Sequence, residues 1–225
     1  MRNLVIILAL LPLLFVSASS AAGDDSAEWE LLFEKEGIRS YRRTPEDSKL
    51  HEFRGEGEIP VNAYLVLAVV RQTDRAVEWV ADMIEGYSLG YRRPDVELVY
   101  THFDLAWPTR DRDYLYEESL HYDADQKTFT VSMVSTTDPK MPPREEAIRA
   151  ELFWSEYSVT WIDETKCWAT VRIHTDPKGS LPIALVNLVT KKWPWTTLSN
   201  LSRQSQMATG YEAEEAELRA RFPIN

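Results

Sequence analysis

Residues 176–200 read DPKGSLPIALVNLVTKKWPWTTLSN, and this run restricts the fold more than any other stretch. Advancing about 100° per residue from Ile183 puts Ala184 at about 100°, Leu188 at about 140°, Leu185 at about 200°, Val189 at about 240° and Val186 at about 300°. Only Asn187, at about 40°, interrupts the apolar circle. A surface helix carries one apolar stripe and a wet back; this one has no wet back over its first two turns. Pro182, after Gly179 and Ser180, reads as a first-turn proline. Lys191 and Lys192 follow, and then Trp193-Pro194-Trp195, where the proline kinks the helix or removes a backbone bond. Two packings satisfy such a helix. It is a fully buried core helix, or it is a lid with one face across an apolar ligand and the other toward a membrane. Lysines beside tryptophans suit the second, because indole prefers the headgroup boundary and lysine meets anionic lipid.

The N-terminus has its own apolar run. Arg2 precedes Leu4 to Val16, followed by small residues and then acids. That order marks residues 1–22 as a cleaved signal peptide, cut between Ala18 and Gly23. Thirteen helical residues reach roughly 20 Å, short of the roughly 30 Å of a hydrocarbon core. The expected product is exported, periplasmic or secreted, and not lipid-anchored there, since no cysteine lies near the cut. The chain carries a formal net charge of −11, and one more negative unit without Arg2. So acidic a protein, with no basic run, is not expected to bind nucleic acid. Cys167 is the single cysteine, so no internal disulfide forms and the thiol reads as an inert packed group. The fold must stand on its core, and about 200 residues suffice for one domain.

The remaining chain switches between periods. Residues 30–43 and 49–59 read as extended segments separated by TPEDS. A helix is expected over 61–71, with a further turn or two over 75–83. After Gly90 come VELVYTHFDL, DYLYEESLHYD, TFTVSMVSTT, ELFWSEYSVTWID and CWATVRIHTD, rich in β-branched and aromatic residues and joined by turns such as DADQ and DETK. Short connections between sequential strands predict an antiparallel meander. With a long helix last, this is an α+β pattern in which one curved sheet wraps a terminal helix.

Four segments resemble the StAR-related lipid-transfer (START) domain family, in order along almost the whole mature chain. They are AVEW (76–79), THFDLAWPTRDRDYLY (101–116, through Trp107, Pro108, Arg112, Asp113 and Tyr114), MPPREEAIRAE (141–151) and DPKGSLPIALVN (176–187). The resemblance implies a helix-grip fold, a curved antiparallel β-sheet wrapped around a long C-terminal α-helix, as a domain over 27–208 with a charged tail over 209–225. It implies a monomer that encloses one hydrophobic ligand, such as a sterol or phospholipid, moves it between membranes and touches the membrane surface transiently. It also implies a gate formed by the last helix and the loop at Met141 and Pro142.

Within that frame Val186, Val189, Trp193 and Thr197 share one arc of about 80°, assigned to the cavity. Lys191, Lys192 and Trp195 are assigned to membrane contact, and Leu188 and Leu198 to the outside. Sterol-carrying relatives pair a buried acid with an arginine. The matching positions here are Asp104 and Glu118, two acids, which puts a sterol ligand in question. One of them is held neutral and donates to a ligand, or Glu118 points to solvent. Tyr116, Asp104 and Glu118 complete the expected ligand contacts. Arg112, Asp113 and Arg149 read as residues that fix loops.

The histidines are His51, His102, His121 and His174, none at metal-ligand spacing. Neither metal nor cofactor is expected, and no nucleophile elbow or phosphate loop occurs. The enzymatic alternative is a cyclase or aromatase in the same cavity, using His102, Asp104 or Tyr116 as acid or base; export argues against it. A lipid-sensing module is the third reading.

Overall fold

The computed structural model describes residues 28–105 and 109–224. Ten strands form one sheet: β1 (Glu30–Lys35), β2 (Ile38–Arg43), β3 (Glu52–Ile59), β4 (Met83–Arg93), β5 (Val96–Phe103), β6 (Asp111–Asp123), β7 (Thr128–Ser135), β8 (Ala147–Arg149), β9 (Glu151–Asp163) and β10 (Lys166–Asp176). Their spatial order is β1-β2-β3-β10-β9-β7-β6-β5-β4. All neighbours run antiparallel except β8, which lies parallel against the start of β6, pairing Asp111 to Ala147 and Asp113 to Arg149. The meander from β4 to β10 follows chain order, as its short connections require. β3 then closes on β10 in register from Cys167–Ile59 to Ile173–Phe53. The result is the helix-grip arrangement, a curved antiparallel sheet around C-terminal helix.

The extended stretch 30–43 is a hairpin. Glu36 and Gly37 turn it with φ of 54° and 76°, a left-handed pair that glycine enters at no steric cost. β4 and β8 were not expected as strands; Gly86 and Gly90 dilute the first, and the second is only three residues long.

α1 (Ala63–Arg71) starts at Asn62, whose Oδ1 accepts the Leu65 amide at 3.0 Å, and it ends on Arg71. It is buried at seven of its nine positions, more than an amphipathic stripe needs, because it is covered on several sides by β9, α3 and α4. A 3-10 turn (Thr73–Glu78) follows, leading into Trp79.

The expected long final helix is two helices, α2 (Ile183–Thr190) and α3 (Trp193–Met207), interrupted at Lys191 and Lys192. Pro194 sits in the first turn of α3, where a missing N–H costs nothing, so the chain restarts the helix there. Pro182 is the N-cap of α2, one place earlier than expected. α3 crosses the sheet at Gly55 of β3: a Cβ there would meet Pro194 Cβ at 2.7 Å. That close approach requires glycine.

The charged end is not a continuation of the last helix at the surface. It forms α4 (Glu212–Arg221), packed on α1, with Tyr211 and Leu218 buried in the main core and Phe222 against Tyr122 and Phe129. The Tyr64 hydroxyl donates to the Phe222 carbonyl at 2.5 Å and accepts the Ile224 amide at 3.0 Å. Residues 209–224 therefore belong to the domain. The leader-like residues 1–22 lie outside the described part. No helix of the described residues is long and apolar enough to cross a membrane.

Candidate functional site

Period two along β6 decides what faces inward. Arg112, Tyr114, Tyr116 and Glu118 point to one side of the sheet and line an apolar cavity of about 560 Å³. Asp113 and Leu115 point to the other side, where Leu115 packs with Leu98 and Tyr100. Opposite β6 the cavity is bounded by β9 and β10 through Leu152, Tyr157 and Ile173, by the 3-10 turn and Trp79, and by Leu185, Val186 and Trp193 of the last helices. A volume of this size is ordinary for a small-molecule pocket.

α2 closes one side of the cavity. It buries Val186 and exposes Ile183, Leu185 and Leu188, the last at 66%. Its base is tied down by Arg112, which donates from Nε to the Pro177 carbonyl at 2.6 Å and from Nη2 to the Lys178 carbonyl at 3.1 Å. Burial lowers the pKa of that guanidinium, yet its carbonyl partners keep its donors engaged. Lys178 and Gly179 follow with φ of 53° and 78°, a backbone corner where the chain leaves the sheet. Asn187, the one polar residue of the apolar circle, binds the β2–β3 loop: its Oδ1 accepts the His51 amide at 3.1 Å and its Nδ2 donates to the Lys49 carbonyl at 3.3 Å.

At the other end lies Glu118, only 2% exposed. Its Oε1 stands 3.7 Å from Arg71 Nη1 and has no hydrogen-bond partner among the described residues. Burial pushes its pKa up to about 7; the Arg71 charge opposes the rise, and Glu97 and Glu214 add to it. Tyr116 and Tyr157 are raised as well, first by burial and then by the neighbouring Glu118 charge. Trp79 meets Tyr157 edge-on, centroids 6.2 Å apart, and its indole Nε1 likewise has no partner among the described residues.

Of the residues expected at a ligand, Tyr116, Glu118, Val186 and Trp193 line the cavity. Asp104 does not: it is exposed past the end of β5, its amide donating to the Asp82 carbonyl at 2.9 Å. The two acids therefore do not face each other, and Glu118 does not point to solvent; Arg71 of α1 is its partner instead. Thr197 is buried but outside the cavity lining, because α3 has by then turned onto the sheet. The side chain of Val189, and residues Trp107 and Pro108, lie outside the described part.

The expected gate loop is on the wrong face. Met141 packs with Leu98, Tyr100 and Leu115, across the sheet from the cavity. Arg149 holds this loop, donating to the Met141 and Pro142 carbonyls at 3.4 Å, while Nε and Nη2 clasp the two Asp113 oxygens at 3.0 and 2.9 Å. Pro142 is exposed there, with no part in the cavity wall. Lys191 and Lys192 are exposed between α2 and α3. Trp195 is half-buried against the core, with Lys35 Nζ 3.7 Å over its ring, and Leu198 is a core residue; neither faces outward as expected.

Sequence reasoning missed Arg71, Leu185 and Tyr157 as lining or supporting groups. Tyr157 and Leu185 carried a readable signal, strand alternation for the first and the all-round apolar helix for the second. Nothing local marked Arg71. Of the three acid–base candidates, only Tyr116 lines the cavity; His102 is turned away, its Nε2 3.0 Å from Asp111 Oδ2.

The START domain family model matches residues 17–201. The chain belongs to the START domain family. Its relatives include an uncharacterized protein of Pseudomonas aeruginosa, 25% identical over 89% of this chain and 96% of that one. Bovine phosphatidylcholine transfer protein is 23% identical over 73% of this chain and 78% of its own. Mouse START domain-containing protein 10 is 26% identical over 71% of this chain, which spans only 55% of that protein. Among solved structures, a STAR-related lipid transfer protein of Xanthomonas axonopodis superposes with a TM-score of 0.69 at 26% identity, covering 79% of this chain and 98% of that one.

Proposed function

We propose that this protein encloses one lipid in the cavity beneath α2 and carries it between membranes across an aqueous compartment. The observation that carries the reading is a 560 Å³ apolar hollow whose lid turns Leu185 and Val186 toward it and exposes Ile183 and Leu188 to the outside. A lid apolar on both sides is costly in water and useful where lipid lies on both sides of it. Enclosing a chain recovers about 0.8 kcal/mol per buried methylene, so leaving the bilayer costs little net. The exposed Lys191 and Lys192 beside this face favour a bilayer that carries anionic lipid. The named transfer proteins among the relatives support the same class of activity, and the leader-like residues 1–22 support export into a periplasm or the medium.

The test is native extraction followed by mass spectrometry, and then liposome-to-liposome transfer. We expect a bound lipid to copurify and the protein to accelerate exchange between vesicles. Replacing Lys191 and Lys192 by glutamate should slow transfer from anionic donors without emptying the cavity. A protein that arrives empty, moves no lipid and turns over a small aromatic polyketide would establish the enzymatic alternative instead.

A further inference from the structure

Asn187 is the one polar residue in the first two turns of α2, and the helix does not need it. Asparagine is a poor choice for a helix interior, because its amide competes for backbone groups. Here the amide bridges to another element: Oδ1 accepts the His51 amide at 3.1 Å and Nδ2 donates to the Lys49 carbonyl at 3.3 Å. Little else holds α2. Of its described side chains Val186 alone is buried, and the Thr190 hydroxyl turns back to the Val186 carbonyl of its own helix at 2.9 Å. A helix of eight residues is marginal without outside support.

The two sides of that contact differ in firmness. The β2–β3 loop is braced on the sheet and within itself. The Ser48 hydroxyl accepts the Leu50 amide at 3.1 Å and lies 3.3 Å from Nε2 of His174, a buried residue of β10. Thr44 Oγ1 stands 2.8 Å from His51 Nδ1. α2 instead runs between two breaks in regular backbone, the left-handed corner at Lys178 and Gly179 and the interruption at Lys191 and Lys192. Element-terminal residues of this kind absorb the rotation in hinge motions. Arg112 grips the Pro177 and Lys178 carbonyls at the first break, so the root stays fixed when the helix swings. Leu185 and Val186 are the contribution of α2 to the cavity wall, and a swing away from the loop opens the wall at that point.

Resting on the lipid-carrier reading, we infer that Asn187 is the latch of the lid: the cavity opens between α2 and the β2–β3 loop, and the two Asn187 bonds set how often it does so. Two hydrogen bonds of ordinary net worth correspond to between about fivefold and about a hundredfold in the ratio of open to closed lid. The latch acts on empty and loaded protein alike. It therefore governs how fast a ligand enters and leaves, and leaves the equilibrium between bound and free nearly untouched. Asn187 is a positioning residue, since it has no part in the cavity lining.

The experiment follows N-phenylnaphthylamine, a small neutral apolar fluorophore, into and out of delipidated protein by stopped flow, read as energy transfer from the tryptophans. Dissociation is started by mixing loaded protein with excess dioleoyl phosphatidylcholine vesicles. Asn187→Ala should raise the association and dissociation rates together by about tenfold or more, with Kd within about threefold of the parent. Asn187→Asp keeps the acceptor for the His51 amide and loses the donor to Lys49, so its rates should fall between the two. A short bis-maleimide joining Lys49→Cys to Leu188→Cys, both exposed positions, should slow both rates by about tenfold or more; Cys167 is buried and stays unmodified. Arg149→Met loosens the opposite face of the sheet and should keep parental rates, which separates a latch from a general loss of stability. Parental rates in Asn187→Ala, a rise in one rate only, undiminished exchange in the cross-linked protein, or an Arg149→Met variant as fast as Asn187→Ala would each overturn the latch while leaving the carrier reading intact. A parent that does not bind the fluorophore would overturn the carrier reading itself.

Discussion

Glu118 makes the protein's stability depend on pH in a direction opposite to that of most carboxylates. Folding raises its pKa from an ordinary 4.5 to about 7. Between those values the native state holds a proton that the unfolded chain has released, so stability falls as pH rises through the window and is lowest above it. A shift of about 2.5 units is worth about 3 kcal/mol in full. From pH 5 to pH 8 the loss comes to about 2–3 kcal/mol, because the unfolded carboxyl is already partly ionised at pH 5. Glu118→Gln removes this titration, since an amide of the same shape is neutral throughout. Urea unfolding of delipidated parent and variant at both pH values isolates the effect as a double difference. The variant should gain about 2–3 kcal/mol relative to the parent between pH 5 and pH 8, a shift of roughly 1 M in relative midpoint for m of 2–3 kcal/mol/M. Any cost of disturbing Arg71 that is independent of pH cancels in the subtraction. A double difference near zero would mean that Arg71 keeps the carboxyl ionised throughout, and a negative one would mean that the pair stabilises its charged form. Either result would refute the argument from burial.

Two further substitutions probe the frame around the cavity. Gly55→Val forces a side chain against Pro194, which must move; it should cost about 1–3 kcal/mol and lower Tm by several degrees in calorimetry, whereas an unchanged Tm would mean that α3 does not sit so close. Arg149→Met leaves the fully buried Asp113 unpaired and should cost about 3–5 kcal/mol in urea unfolding. Because that pair lies across the sheet from the cavity, lipid affinity of the folded variant should be unchanged, and a large loss of affinity would restore the Met141 loop as a gate.

Much of the fold was legible because its signals are local. Alternation of β-branched and aromatic residues located β5, β6, β7, β9 and β10, and four spaced segments pointed to the family. The failures are those of non-local physics. Glycines weakened the pattern of β4, although its pairing with β5 makes it a strand. Pro194 was read as a kink because nothing nearby says that the preceding helix stops at Thr190 and a new one begins. Alternation ended with β5, so the inward period that places Thr101 and Phe103 in the cavity says nothing about Asp104. The same rule applied from Arg112 would have put Glu118 inside. What it cannot supply is Arg71, forty-seven positions away and brought alongside only by tertiary packing.

The family match ends at residue 201, but α4 reaches back through Glu214 to hold Arg71, and Arg71 opposes the rise that burial imposes on the Glu118 pKa. Chemistry deep in the hollow is thus governed partly from the outside, by a short helix that has no residue in the cavity lining. Exchanging that helix would alter the charge balance around Glu118 without redrawing a single wall of the container.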